Sequence, residues 1–211
     1  MRKLLYLATG TTRGIGWELQ KLFKASNSDY ILINRKDIDL SDTTGLITFL
    51  ESLAERIKEE YSDHRIIFIN NASTLGNPAP MENNSLSDVS QTLNVNVVAP
   101  ILFFNFLTQL DNEWVLLNVT SGAAHTENQF LGLYSTSKLA VEKYIKFVDS
   151  EDNNCKGVYN FDPGVVETDM YKALKENKHF YNERLQKAEA RQPFQAAYEI
   201  WKILERWRNN D

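Results

Sequence analysis

A strand-length apolar run that breaks into glycines and restarts as an amphipathic helix constrains this 211-residue chain more than any other stretch. Lys3-Leu4-Leu5-Tyr6-Leu7-Ala8 leads into Thr9-Gly10-Thr11-Thr12-Arg13-Gly14-Ile15-Gly16. Ile15, Leu19, Leu22 and Phe23 then recur at helical spacing. Glycines at such a point allow a tight turn and a close backbone approach to a diphosphate, which then meets the unpaired N–H groups of a helix start. The spacing is Gly-x-x-x-Gly-x-Gly rather than Gly-x-Gly-x-x-Gly, so the turn alone does not name its ligand.

The same alternation continues down the chain. Strand-like runs fall near residues 3–8, 30–34, 65–70, 114–119 and 156–161. Helical patterns lie near 15–26, 43–60, 86–110, 133–149 and 184–208. Strands alternating with helices predict parallel pairing through right-handed crossovers, hence a doubly wound α/β sheet of the Rossmann type. No linker or internal repeat interrupts the pattern, and the expectation is a single domain over residues 1–211.

A second feature carries chemistry. In Tyr134-Ser135-Thr136-Ser137-Lys138 a phenol and an ammonium stand at i and i+4, on one helix face. A free tyrosine has a pKa of about 10, and a neighbouring lysine is expected to draw it toward the working range. Ser121 ends the apolar run Trp114-Val115-Leu116-Leu117-Asn118-Val119-Thr120, thirteen residues before Tyr134.

Together with Asn70-Asn71-Ala72, Asn96 and Pro163-Gly164-Val165-Val166-Glu167-Thr168, these motifs stand in the order and spacing of the short-chain dehydrogenase/reductase family, which the chain resembles over about residues 3 to 170. The resemblance is also to its sepiapterin- and benzil-reductase-like carbonyl reductases. It implies hydride transfer from a nicotinamide cofactor to a ketone or aldehyde. Tyr134 would be the proton donor, Ser121 the group that polarises the carbonyl, and Lys138 the group that tunes Tyr134 and binds the nicotinamide ribose. Asn96 would hold a water that links Lys138 to solvent; Asn94 is its rival for the register. The implied cofactor contacts are Gly10, Thr12, Arg13, Gly14, Ile15, Gly16, Arg35, Asp39, Asn71, Ala72, Tyr134, Lys138, Pro163, Val166 and Thr168. Thr168 and the main chain at Val166 would fix the carboxamide.

Two departures from the family pattern shape the fold expectation. After Tyr30-Ile31-Leu32-Ile33-Asn34-Arg35 the chain reaches Asp37-Ile38-Asp39 almost at once, so the helix before the family's third strand is missing. Asp39 is then left on the adenine side by a short strand or extended loop. The helical pattern Trp201–Trp207 runs on to the end, with no seventh strand. Five or six strands are expected.

The cofactor follows from charge. A carboxylate at the end of the second strand accepts the ribose hydroxyls of NAD and repels a 2′-phosphate. Position 34 is asparagine, followed by Arg35 and Lys36, and Arg13 adds a second guanidinium. Such forks suit phosphate, so NADP(H) is expected, with Asp37 as counter-evidence.

Composition excludes other classes. A net charge of −5 argues against a nucleic-acid partner. No apolar run is read as membrane-spanning. Cys155 is the only cysteine, which excludes an internal disulfide and suits a reducing cytoplasm. His64, His125 and His179 lack metal-ligand spacing. The segment near 167–190, with Tyr171, Leu174, Phe180, Tyr181 and Leu185, reads as a compact substrate lid. His125, Phe130, Tyr171 and Phe180 are its candidate walls. The apolar helices near 86–110 and 133–149 predict a homodimer through two-fold packing. The rival functional reading is a catalytically silent NADP-binding regulatory or interaction module.

Overall fold

The computed structural model describes residues 3–151, 154–179 and 187–209. Five strands, β1 (Lys3–Thr9), β2 (Asp29–Ile33), β3 (His64–Asn70), β4 (Trp114–Val119) and β5 (Cys155–Phe161), form one parallel sheet in the order β2-β1-β3-β4-β5. All five coincide with the expected runs. The three central strands are nearly continuous in buried residues, as a sheet covered on both faces requires.

The two faces are sorted by the period of two along each strand. Leu5, Leu7, Ile66, Phe68, Trp114 and Leu116 face α2 (Thr43–Glu60), α4 (Ala99–Thr108) and α5 (Gly132–Ser150). Tyr6, Ala8, Ile67, Ile69, Val115 and Leu117 face α1 (Gly14–Ala25) and the last helix, α7 (Pro193–Asn209). On that side Tyr6 stacks on Phe23 at 4.6 Å, with Trp201 tilted against both. Burial pushes the Tyr6 phenol far above its ordinary pKa, with the Glu205 carboxylate adding to the effect.

The expected helix near 86–110 is one helical run with an irregular centre. A short α3 (Leu86–Leu93) carries a capping box between Ser85 and Asp88, and a π-helical turn over Asn94–Val98 joins it to α4. Pro100 explains the irregularity. It has no N–H to offer the Asn96 carbonyl four residues back, and its ring would clash there in a regular helix. This run, Leu86–Thr108, is long and apolar enough by composition to cross a membrane. The sequence expectation of no such run is corrected to that extent. Phe103, Phe104, Phe106 and Leu107 are nevertheless consumed by the protein's own core, Phe68 stacking on Phe103 at 5.1 Å.

After β2, residues 34–42 are turns with neither helix nor strand, and they lead directly to α2, where Asp42 caps the first turn. The choice between short strand and loop at Asp39 falls on loop. No strand follows β5 among the described residues. Of the pattern read as helical near 184–208, residues 184–186 lie outside the described residues, Lys187 is helical, residues 188–192 are not, and α7 runs from Pro193. Arg191 is engaged instead in a parallel bridge with Val166, and a proline is well placed to start a helix just after it. The first part of the segment expected to be a lid is a short helix, α6 (Asp169–Glu176); the expected lid residues Phe180, Tyr181 and Leu185 lie outside the described residues.

Candidate active site

The carboxyl ends of β1, β3, β4 and β5 converge on one edge of the sheet. At β1 the chain turns through Gly10 (φ +69°) and Gly14 (φ +56°), both in the left-handed region. A Cβ on Gly16 would lie 2.2 Å from the Gly10 carbonyl oxygen, so only glycine fits there. α1 starts immediately afterwards, and its N-cap residue Arg13 makes no side-chain cap, which leaves the first N–H groups facing outward. Ile15 is buried under the turn and Thr12 is exposed on it. The glycine turn and the uncapped helix start have the shape and donors that suit a diphosphate, and the residues fit a dinucleotide.

The cradle is locked from below by residues that sequence reading only half found. Thr9 Oγ1 accepts hydrogen bonds from the backbone N–H of Asn71 at 3.1 Å and of Ala72 at 3.0 Å. Asn71 Nδ2 donates to the carbonyls of Thr9 and Gly10 at 3.1 and 2.8 Å. Gly10 N–H in turn donates to the Ile33 carbonyl, which brings Asn34 and Arg35 beside the turn. Thr9 was missed because its signal is only a hydroxyl at a strand end. A buried Thr directly before the first turn glycine is that signal.

The basic residues are already partnered. Arg13 Nη1 lies 3.3 Å from Asp169 at the start of α6, and Arg35 Nη2 lies 3.2 Å from Asp39. Hydrogen bonds from the Ser41 backbone and hydroxyl, helped by Arg35, hold the Asp39 carboxyl below its usual pKa. Asp37, the counter-evidence to NADP, spends its carboxylate on the Asn34 N–H.

The Tyr134 face of α5 lies against the end of β4. The Tyr134 hydroxyl is hydrogen-bonded to Ser121, and Ser121 Oγ also accepts from the Ala123 N–H in the 3₁₀ turn Gly122–His125. Lys138 is buried, donates to the Val119 carbonyl at 3.1 Å, and its Nζ lies 5.9 Å from the Tyr134 ring centroid. The expectation that Lys138 lowers the Tyr134 pKa is not met in this arrangement. Burial raises the phenol's pKa, the Asp162 carboxylate raises it further, and only the Ser121 hydrogen bond opposes them. Lys138 itself is pushed down to about 8 by burial, with the Glu142 carboxylate opposing the fall. A raised phenol keeps its proton at neutral pH, the state an acid needs.

Asn96 sits where the family pattern puts it, but its side chain is fully committed. Oδ1 accepts from Ser73 Oγ and Thr74 N–H; Nδ2 donates to the Thr74 carbonyl and to Ser137 Oγ. That exhausts a carboxamide's four hydrogen bonds, so the side chain has no capacity for a water. Ser137 passes the support on to the Tyr134 carbonyl, steadying the start of α5. Asn94 is no competitor, since it binds the Ser41 carbonyl. Thr168 caps α6 through the Tyr171 N–H and donates to the Val166 carbonyl, and its methyl abuts Gly14. The Pro163 carbonyl accepts from Arg191.

Of the expected pocket walls, Tyr171 is buried and Phe130 lies edge-on to His179 at 6.4 Å. His125 turns instead to Glu142. Leu131, Leu174 and Leu75 form a small apolar cluster nearby. Phe130 has φ +65°, a conformation that bulky side chains rarely adopt and that concentrates at ligand sites.

Comparison with known proteins places the chain in a family. The family described as short chain dehydrogenase matches residues 38–179. A benzil reductase ((S)-benzoin forming) of Bacillus cereus is 28% identical over 166 residues, which are 75% of this chain and 65% of that protein. A sepiapterin reductase of Xenopus laevis is 27% identical over 140 residues, 63% and 52% respectively. The chain thus spans about two thirds of the first relative's length and half of the second's. A short chain dehydrogenase of Burkholderia cenocepacia solved in complex with NADP superposes with a TM-score of 0.74 at 21% identity, covering 94% of this chain and 89% of that one. A 3-alpha-hydroxysteroid dehydrogenase of Pseudomonas sp. complexed with NADH gives 0.75 at 19%, covering 95% and 89%. At these identities the structural likeness speaks for the fold.

The Thr9 lock makes the first prediction. Thr9→Val keeps the shape but strands the Asn71 and Ala72 N–H groups, and should lower stability by about 1–3 kcal/mol. Denaturant unfolding measures this, and dinucleotide affinity should weaken with it; unchanged values in both would show that Thr9 does not lock the turn.

Proposed function

The chain belongs to the short chain dehydrogenase family, and we propose that it reduces a ketone or aldehyde with NADPH. The observation that carries the reading is the meeting of Ser121, Tyr134 and Lys138 at the sheet edge beside the glycine cradle. When bound, NADPH would supply the hydride. Gly10, Gly14, Gly16 and the α1 N-terminus would take its diphosphate, with Thr12, Ile15, Asn71 and Ala72 lining the turn. Arg13 and Arg35 would hold the 2′-phosphate, giving up Asp169 and Asp39 for it. Thr168 and the Val166 main chain would orient the carboxamide, with Pro163 shaping that wall.

Ser121 would donate to the substrate carbonyl and hold charge where it develops. Tyr134 would pass its proton to the same oxygen, and Lys138 would stabilise the phenolate left behind. Any water that refills the proton would meet the Asn96 main-chain carbonyl, the group that Pro100 leaves without an α-helical donor. The walls offered by Leu75, Phe130, Leu131, Tyr171 and Leu174 favour an apolar or aromatic carbonyl compound. The benzil reductase name of one relative points the same way. We place the activity in the cytoplasm, where the lone Cys155 would stay reduced.

Assembly follows from what α4 and α5 leave outside the core. Leu139 and Phe147 are exposed on α5, and Ile101 is half-buried on α4. A homodimer through these helices should appear in light scattering at micromolar concentration; a clean monomer rejects it.

Cofactor choice is read from Arg35→Ala. Losing a charge-assisted phosphate contact should weaken NADPH by about 1.5–3 kcal/mol and leave NADH nearly unaffected. A wild type that prefers NADH would count decisively against the assignment. Tyr134→Phe is the test of chemistry: NADPH affinity should hold while turnover falls by about 10² to 10⁴. Near-wild-type turnover in that variant would exclude Tyr134 as the proton donor, and a wild type inert toward a broad carbonyl panel would leave a binding module.

A further inference from the structure

Glu142 has no part in the reading above, yet it is a buried carboxylate one turn beyond Lys138. Tyr134, Lys138 and Glu142 stand at successive i+4 positions and so form one row on α5. A buried charge is tolerated only where partners satisfy it. Those of Glu142 flank the catalytic serine on both sides: Thr120 Oγ1 donates to Oε1, and His125 Nε2 lies 2.9 Å from Oε2.

The contacts interleave along one strand end. The Val119 carbonyl takes the Lys138 ammonium, Thr120 binds Glu142, Ser121 binds Tyr134, and His125 binds Glu142 again. Val119, Thr120 and Ser121, three consecutive residues at the end of β4, are thereby each paired to a different point on the helix row, and His125 adds a second tie to Glu142. We propose that Glu142 is a positioning residue of the reductase site: its carboxylate is the counter-charge of Lys138 and ties the turn bearing Ser121 to the helix bearing Tyr134. This rests on the carbonyl-reductase reading for its consequence in turnover, but not for its effect on Lys138.

Few other charges compete. Tyr134 and Glu142 face Lys138 from its own helix, and His125 approaches from the 3₁₀ turn only through Glu142. Asp162, after β5, acts on Tyr134. Asn96, on the π-helical turn, and Ser137, on α5 itself, are neutral. Burial draws Lys138 toward deprotonation, and Glu142 is the group opposing it.

The test is Glu142→Gln, nearly equal in shape but uncharged, with two readouts. In the wild type the alkaline limb of carbonyl reduction should fall near pH 8, where Lys138 loses its proton. In the variant that limb should move to lower pH, each unit of movement lowering the rate on the alkaline side about tenfold. Independently of activity, the pH midpoint for reductive methylation of Lys138, followed by peptide mass spectrometry on cofactor-free protein, should move the same way. Glu142→Asp, which keeps the charge one methylene further back, should fall between the two. If the Gln variant does not fold, the Asp variant carries the same comparison. An unmoved methylation midpoint reduces Glu142 to packing and overturns the proposal. A wild type that reduces no carbonyl overturns the function instead, and the methylation profile still decides the role of Glu142.

Discussion

Parallel strands end with unpaired peptide groups, and in this fold five such ends must be held in one plane for a site to exist above them. Thr9 and Asn71 do this between β1 and β3 by exchanging hydroxyl, carboxamide and backbone bonds across the strand ends. The same logic continues across the sheet as an amide ladder. Asn70 Nδ2 donates to Asn118, and Asn118 Nδ2 donates to Asn160, each at 2.8 Å and in register. Polar side chains at buried strand ends would be destabilising singly, but linked they satisfy one another. The glycine cradle, the Ser121 turn and the Pro163 loop all leave the sheet from this fixed line.

Burial then decides the chemistry of the groups held there. Lys138 and Tyr134 are both removed from water, and desolvation disfavours the charged form of each: the phenol is driven up and the ammonium down. A helix carrying the pair in isolation would show neither shift. The strand end supplies the compensation, through the Val119 carbonyl for Lys138 and Ser121 for Tyr134. The electrostatics therefore belong to the contact between β4 and α5 rather than to the Tyr-x-x-x-Lys row alone.

The outer edge of the site works differently. Arg13 and Arg35 are exposed, and each holds a carboxylate of its own chain. Exposed pairs of this kind are worth little, about 1 kcal/mol or less, so a dianionic phosphate can displace them cheaply. The pairing of Arg13 with Asp169, and the contact of Gly14 with Thr168, also join the dinucleotide turn to the start of α6. The two halves of the site meet at that seam.

Periodicity determined the five strands almost to the residue, since a sheet covered on both faces demands continuous apolar runs. The motif order placed Ser121, Tyr134 and Lys138 on elements that do come together. The glycines of the cradle were legible for a similarly local reason: two left-handed backbone positions and one impossible Cβ are properties of the turn itself. What the sequence did not determine lies in contacts between distant segments. That Asn96 spends its amide on Ser73, Thr74 and Ser137 depends on a loop and a helix meeting far from it in sequence. The same holds for His125, which meets Glu142, and for Arg191, which bridges to Val166 just before the last helix. In each case a polar group, buried for Asn96 and more open for Arg191 and His125, took the partner that packing brought within reach, and packing is a property of the tertiary structure alone.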